Sequence, residues 1–495
     1  MEDLGPQFYR DFSSGQINNL NITLKPKNSV ELMFNMDADY EIGSATSRLG
    51  TVQVGAQLVA SKSILGLHQH VNPTTPASNL LFAALNVAGD TTATIKNVAN
   101  GSDVVTGLTA STKVRFLTYN GSTLAINGVD GERAWNESAW ITTAGVFDLG
   151  DYPGSNTCSV VEEYLDRIWT AGDTSKPHRV HYSTIFDGSV ITWDGSYVDI
   201  EPEDGGGKIT ALTKVPGYLL VFKERSMKRL STENANPESL VDIGTPSQEA
   251  VVRGGGLVAF YSGSNEDAKG FYITNGGRPE CISQDGTRPI KKWVDAITSD
   301  VAVAGWATEK AFNWSIGDVT VDGESFTNIV LKYNRKLRQW TVRSYPTEFK
   351  VFSKYITSSI NGVAGGDNDG NVMHVDVPAT HTDAPSATAI PWKLRTNNDT
   401  FNYNQTKEIT DKVVTRGSNI NGSEIAVLID EDTTNRRTMQ PRGILGKILQ
   451  FFNISDTIQG TTLSVEVKGE THGARAYLRE IEISKIKINR SYGDE

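Results

Sequence analysis

Short apolar runs recur along the chain, each closed by a reversal of polar, glycine-rich or charged residues. Tyr218-Leu219-Leu220-Val221-Phe222 is one such run; Lys223-Glu224-Arg225 ends it, and residues 227–230 resume as a return strand. Residues 114–119, then Asn120-Gly121, then 124–126 read as a hairpin. Gly270-Phe271-Tyr272-Ile273 stops at Asn275-Gly276-Gly277. Residues 328–333 break at Asn334-Arg335-Lys336 before Trp340-Thr341-Val342 returns. Runs this short, with charged reversals, suit the strands of a half-buried sheet. Asn-Gly or Asp-Gly occurs thirteen times, from Asn100-Gly101 to Asn421-Gly422. Both central residues of a type I′ turn need positive φ, which these residue types adopt readily. Thirteen such pairs, mostly beside β-rich runs, predict an all-β protein of antiparallel sheets.

Helical spacing is rare. Ile290, Trp293, Val294 and Ile297 fall at i, i+3, i+4 and i+7, with Pro289 near the start, and predict one packed helix. A second helix candidate covers 443–452. The strand pairs centre near residues 120, 170, 222, 265, 335 and 360. Most of these spacings are roughly 40 to 50 residues, the length of a four-stranded propeller blade. A single blade cannot bury both faces alone, so blades stack around a ring. The expected architecture is a β-propeller of about six blades over 56–380. An extended N-terminal arm, 1–55, precedes it, because that stretch has few periodic strands. A smaller C-terminal β-domain, 381–495, follows the polar, proline-flanked linker at 378–385. Within that domain 424–429, 463–467 and 481–488 alternate as strands.

Composition narrows the classes. The chain has 495 residues, long enough for two or three domains. Its net charge is −11, so it lacks the surplus of Lys and Arg that gripping duplex DNA requires. That charge serves solubility, or an acidic wall that repels passing DNA. Cys158 and Cys281 are the two cysteines, with no CxxC spacing, and read as free buried thiols. The start, Met1-Glu2-Asp3, shows no signal peptide, and no apolar stretch reaches transmembrane length. The expectation is a soluble protein synthesised in a cytoplasm.

Candidate chemistry is sparse. His68 and His70 share a strand face, which could hold a metal, but no third ligand is evident. His178 and His181 follow Pro177 and read as surface residues. Residues 365–371 resemble a calcium loop only in Asp367, Asp369 and Gly370; position one is Gly365 and position twelve is Asp376. Asp204-Gly205-Gly206-Gly207-Lys208 is not a phosphate loop, because Pro202 stands where the first glycine belongs and Ile209 replaces the hydroxyl residue. Asp187-Gly188, with a later tryptophan, has the wrong spacing for a sialidase-type box. No nucleophile elbow occurs. No catalytic, cofactor-binding or metal-binding residue is singled out, and a non-enzyme without cofactor is expected.

Several segments resemble one family. Phe12-Ser13-Ser14-Gly15-Gln16-Ile17-Asn18, then Leu32-Met33-Phe34-Asn35-Met36-Asp37, then Ser47-Arg48-Leu49-Gly50 resemble the opening of phage tail nozzle and stabilisation proteins, with an N-x-D strand and an R-x-G ending. Asp166-Arg167-Ile168-Trp169, Val180-His181-Tyr182-Ser183, Ile209-Thr210-Ala211-Leu212 and 218–223 are similar to that family's blade strands, as is Glu480-Ile481-Glu482-Ile483. The resemblance implies a structural virion protein of a short-tailed phage. It implies a homo-hexameric ring below the portal and head-to-tail adaptor, carrying tail fibres or a needle. Genome DNA would pass through its lumen without specific binding. The competing classes are a tail protein of another phage type, a carbohydrate-binding propeller with exposed aromatics, and a glycan-cleaving propeller with two carboxylates across a cleft.

Overall fold

A computed structural model of the chain describes residues 2–488 outside 19–23, 39–40, 42, 73–78, 137–138, 142–157, 187–190, 264–265, 285–289, 358–359, 400, 402–406, 410–411, 421–422, 430–431, 440–442, 446–448, 454–457 and 472. The protein is nearly all β. Among the described residues no helix is long and apolar enough to cross a membrane.

Between residues 50 and 377 the strands form seven four-stranded antiparallel arrays, mostly from consecutive strands. The first five span 64–108, 115–141, 160–199, 209–241 and 251–281. The sixth is Ala304–Ala307, Ala311–Val321, Glu324–Asn334 and Gln339–Ser344. The seventh joins Phe349–Ile356, Asn361–Asp367 and Val372–Val377 to an early strand, Gly50–Gln53. Tight turns explain the meanders. In the second array Asn120 and Gly121 take φ of 46° and 75°, as a type I′ turn requires, and Arg115–Tyr119 pairs directly with Ser122–Ile126. The first strand of each array packs on the first strand of the next, and Phe349–Ile356 packs on Ile64–His70. Apolar side chains from adjacent arrays interleave between them: Phe222 meets Phe260 across the fourth and fifth at 4.9 Å between ring centres. Burying a pair of such rings stabilises by several kcal/mol, at roughly 1.5–3 kcal/mol per side chain.

The rest of the chain forms a second body from both ends. Ser29–Phe34 lies between Gln339–Ser344, to which it runs parallel, and Pro391–Thr396. The sixth array therefore continues without a break through Pro391–Thr396, Leu463–Glu470 and Glu424–Ile429 to Asp432–Met439. A second sheet sets Gln7–Tyr9, Ala45–Ser47 and Lys412–Ser418 beside Tyr477–Ile483. A third pairs Glu2–Leu4 and Lys407–Ile409 with Ile486–Ile488. One core holds them together, with Phe12, Met33 and Met36 from the start packed among Trp392, Val427, Val465 and Ile481. The first 55 residues are thus woven into the chain's own sheets.

The helix expected at 289–297 is present as Lys291–Asp295, with Ile290, Trp293, Val294 and Ile297 buried; Pro289 lies outside the described residues. The helix candidate at 443–452 is corrected. Gly443–Leu445 and Leu449–Asn453 are strands, and the latter pairs with Lys412–Ser418. A ladder partner overrides helical spacing in a short apolar run, which periodicity alone cannot assign. Asp187-Gly188 and Asn421-Gly422 lie outside the described residues.

Candidate functional site

The N-x-D and R-x-G segments converge on one buried cluster at the seam between the two bodies. Asn35 takes φ of 54°, a left-handed conformation that Asn tolerates. Its amide then bridges both sides. Nδ2 donates to the Pro391 carbonyl at 2.7 Å, and Oδ1 accepts from the Ser344 backbone N–H at 2.8 Å and from Arg48 Nε at 2.9 Å. Arg48 is 1% exposed. Beyond Asn35 it donates twice to the Asp383 carboxylate, at 2.9 and 2.5 Å, and to the carbonyls of Ser344 and Leu49, at 2.6 and 2.9 Å. All five guanidinium donors are thereby used. Tyr345 lies under the same group at 4.2 Å. Two residues on, a Cβ at Gly50 would lie 1.9 Å from the Thr382 carbonyl oxygen, so only glycine fits.

Asp37 extends the cluster. It accepts from Arg343 at 2.6 Å, Thr341 at 3.3 Å and Lys332 at 3.1 Å, while Arg343 also grips Asp376 at 2.8 Å. Burial alone would raise the Asp37 carboxyl, but Arg343 and Lys332 outweigh it and hold the group well below the usual carboxylate range. Burial likewise works against the Arg48 charge, and Asp383 more than restores it. Pairing and full hydrogen bonding are the conditions under which buried charges persist. The cluster's polar side chains are bonded to one another and to backbone from both bodies, and so join them. Of its members only the N-terminal ones stand out in sequence. Asp383 sits in the stretch read as a linker, and nothing local marks Asp376, Lys332 or Arg343 as partners.

A second charged group sits among the first strands of the arrays. Arg115, in the second, reaches Glu249, just ahead of the fifth, with bonds of 3.1 and 3.0 Å, and also the Ser159 carbonyl at 2.6 Å. Arg253 approaches Glu162 to 3.6 Å, and Lys214 pairs with Glu163. Burial pushes Glu249 up, yet Arg115 and Lys113 bring it down to about 2. Burial raises Glu162 and lowers Lys113.

The remaining candidates are held by neighbours. His68 Nε2 meets Thr118 Oγ1 at 2.6 Å, Thr118 meets Thr123 at 2.7 Å, and Thr123 meets His70 Nδ1 at 2.9 Å. Burial, with His70 adding to it, lowers His68 to about 3, so the ring is neutral near pH 7. His181 is buried, against the surface position expected, because Arg179–Tyr182 is an inner strand of the third array; His178 lies 3.7 Å from Asp199. Asp204 accepts from Lys223, Lys228, Ser226 and the Gly206 N–H. Asp367 closes its turn by accepting from the backbones of Asp369 and Asn371. Among the described residues no three His, Cys, Asp or Glu gather as a metal site. Cys158 is buried and Cys281 half-buried, and neither is in a disulfide. No family model matches the chain, and no curated protein matches it.

Proposed function

We propose that residues 50–377 close into a seven-bladed β-propeller, and that the protein is a structural component of a phage tail, a nozzle or hub ring, rather than an enzyme. Closure is supported by the succession of first strands, in which the seventh array packs on the first. It is also supported by Gly50–Gln53, an early strand completing a late sheet. The count is one more than sequence spacing suggests; the added blade is 64–108, whose connection has no Asn-Gly or Asp-Gly between its first two strands.

The observation that carries the tail reading is the identity of the seam. Asn35, Asp37, Arg48 and Gly50, which lie in the opening segments that carry part of the resemblance, join the arrays to the second body. A motif with so demanding a role marks a shared build more strongly than strand style does. The Arg115–Glu249 and Arg253–Glu162 pairs tie together arrays that are not neighbours in the succession. In this reading the DNA channel lies between copies, in a ring of six below portal and adaptor. The acidic balance of the chain keeps that DNA from sticking. Fibres or a needle would attach to the ring.

Mass photometry and negative-stain imaging of the full chain, with its adaptor–portal complex, test this. Rings of six with an open lumen are expected. A chain that stays monomeric in the presence of that complex overturns the reading.

A further inference from the structure

The continuous sheet carries a cleft of about 530 Å³ beyond the seam, large enough for a small ligand. Its lining includes Phe34, Trp392, Lys393, Glu424, Lys468 and Glu470. Phe34, Lys393, Lys468 and Glu424 face one another in register across four neighbouring strands, and so form one row on one sheet face.

Three features restrict what this cleft can take. Each of the four strands is paired on both sides, so no free backbone ladder is available to an added peptide strand. Recognition must run through side chains. Those side chains carry no surplus of positive charge. Lys468 lies 2.8 Å from Glu424, Lys393 lies 3.2 Å from Glu324, and Glu470 adds a further carboxylate. An anionic polymer or headgroup needs surplus cations and finds none here. The Trp392 indole N–H, finally, is buried without an acceptor, and Phe34 is only half-buried.

Ammonium and carboxylate side by side can each hydrogen-bond one hydroxyl of a neutral ligand, which donates to the carboxylate and accepts from the ammonium. Phe34 supplies an apolar surface for the C–H face of a ring. We propose that this cleft binds a neutral saccharide. The proposal does not rest on the ring reading, because the cleft is complete within one chain.

Saturation-transfer NMR on the full-length protein tests it with maltotriose, chitotriose and mannotriose as neutral probes and sialyllactose as the anionic one. At least one neutral trisaccharide should give difference signals. Its affinity should fall about tenfold in both Lys468→Ala and Glu424→Gln, the loss of one charged hydrogen bond. Lys485→Ala, outside the cleft, should leave it unchanged. Both cleft side chains are partly exposed, so an unaltered thermal midpoint verifies the fold of each variant. Silence from all three neutral probes overturns the proposal, as does binding that ignores both substitutions or signals from sialyllactose alone. Ring formation, measured on the same samples, reports separately on the tail reading.

Discussion

The two bodies are built by opposite rules. In 64–281 each sheet is a run of consecutive strands, so almost every ladder joins neighbours in sequence. In the second body the three large sheets draw strands from both ends of the chain: Glu2–Leu4 pairs with Ile486–Ile488, and Ser29–Phe34 with Pro391–Thr396. Local sheets can each form by closing short loops, whereas the second body has hairpins of its own but must close loops hundreds of residues long to assemble its sheets. Its sheets therefore depend on one another through a shared core and the seam, and damage at the seam should spread.

The widest test of that contrast is deletion of residues 1–50. It removes strands from the three large sheets of the second body and Gly50 from the early strand of the seventh array. Loss of cooperative unfolding for that body is expected, a cost on the scale of a domain's whole stability, about 5–15 kcal/mol. Limited proteolysis should then cut within 381–488 while the arrays over 64–281 survive. A deletion product whose 381–488 region resists protease would break the comparison.

Arg48→Ala comes next. It leaves Asp383 buried without its partner and should cost about 3–5 kcal/mol, read from urea unfolding. A loss under 1 kcal/mol would mean the seam carries little of the joint.

Acid should act more gently, at the seam and at the charged group among the arrays. Asp37 and Glu249 are depressed on folding, so the unfolded chain binds more protons as pH falls. Their contributions are complete above about pH 4, the ordinary carboxylate range. They fade as pH drops through each folded value, which for Glu249 is about 2. The urea midpoint should fall between pH 5 and pH 3, and Glu249→Gln should lessen that dependence. A midpoint flat across this window contradicts the assignment.

Gly121→Ala should be smallest. It strains one local turn at φ 75° and should cost about 1 kcal/mol, with the second body untouched.

The same division sets what could be read from sequence. Hairpins at Asn120-Gly121 and across 218–230 were legible because turn and strands lie within a dozen residues. The helix at Trp293 was legible from its apolar face. The first array was missed because its opening strands, Ile64–His70 and Leu80–Asn86, are joined without a turn dipeptide. The fate of 1–55 was illegible for a different reason: its partners lie at the other end of the chain. Arg48 stood out only through resemblance, and Asp383, 335 residues away, looked like linker. His68 and His70 did share a face, but their partners Thr118 and Thr123 come from the next array.

The closing strand of the seventh sheet has a consequence for synthesis. Gly50–Gln53 leaves the ribosome long before Val372–Val377 exists to receive it. At about 5–20 residues per second, the intervening roughly 320 residues impose a wait of about 15–65 s. During that interval the early strand is an unsatisfied edge in a crowded cell, while the local sheets behind it are already folding. A message truncated anywhere before that point yields a chain whose early strand has no ladder partner, so the seventh sheet can be completed only after residue 377 has been made.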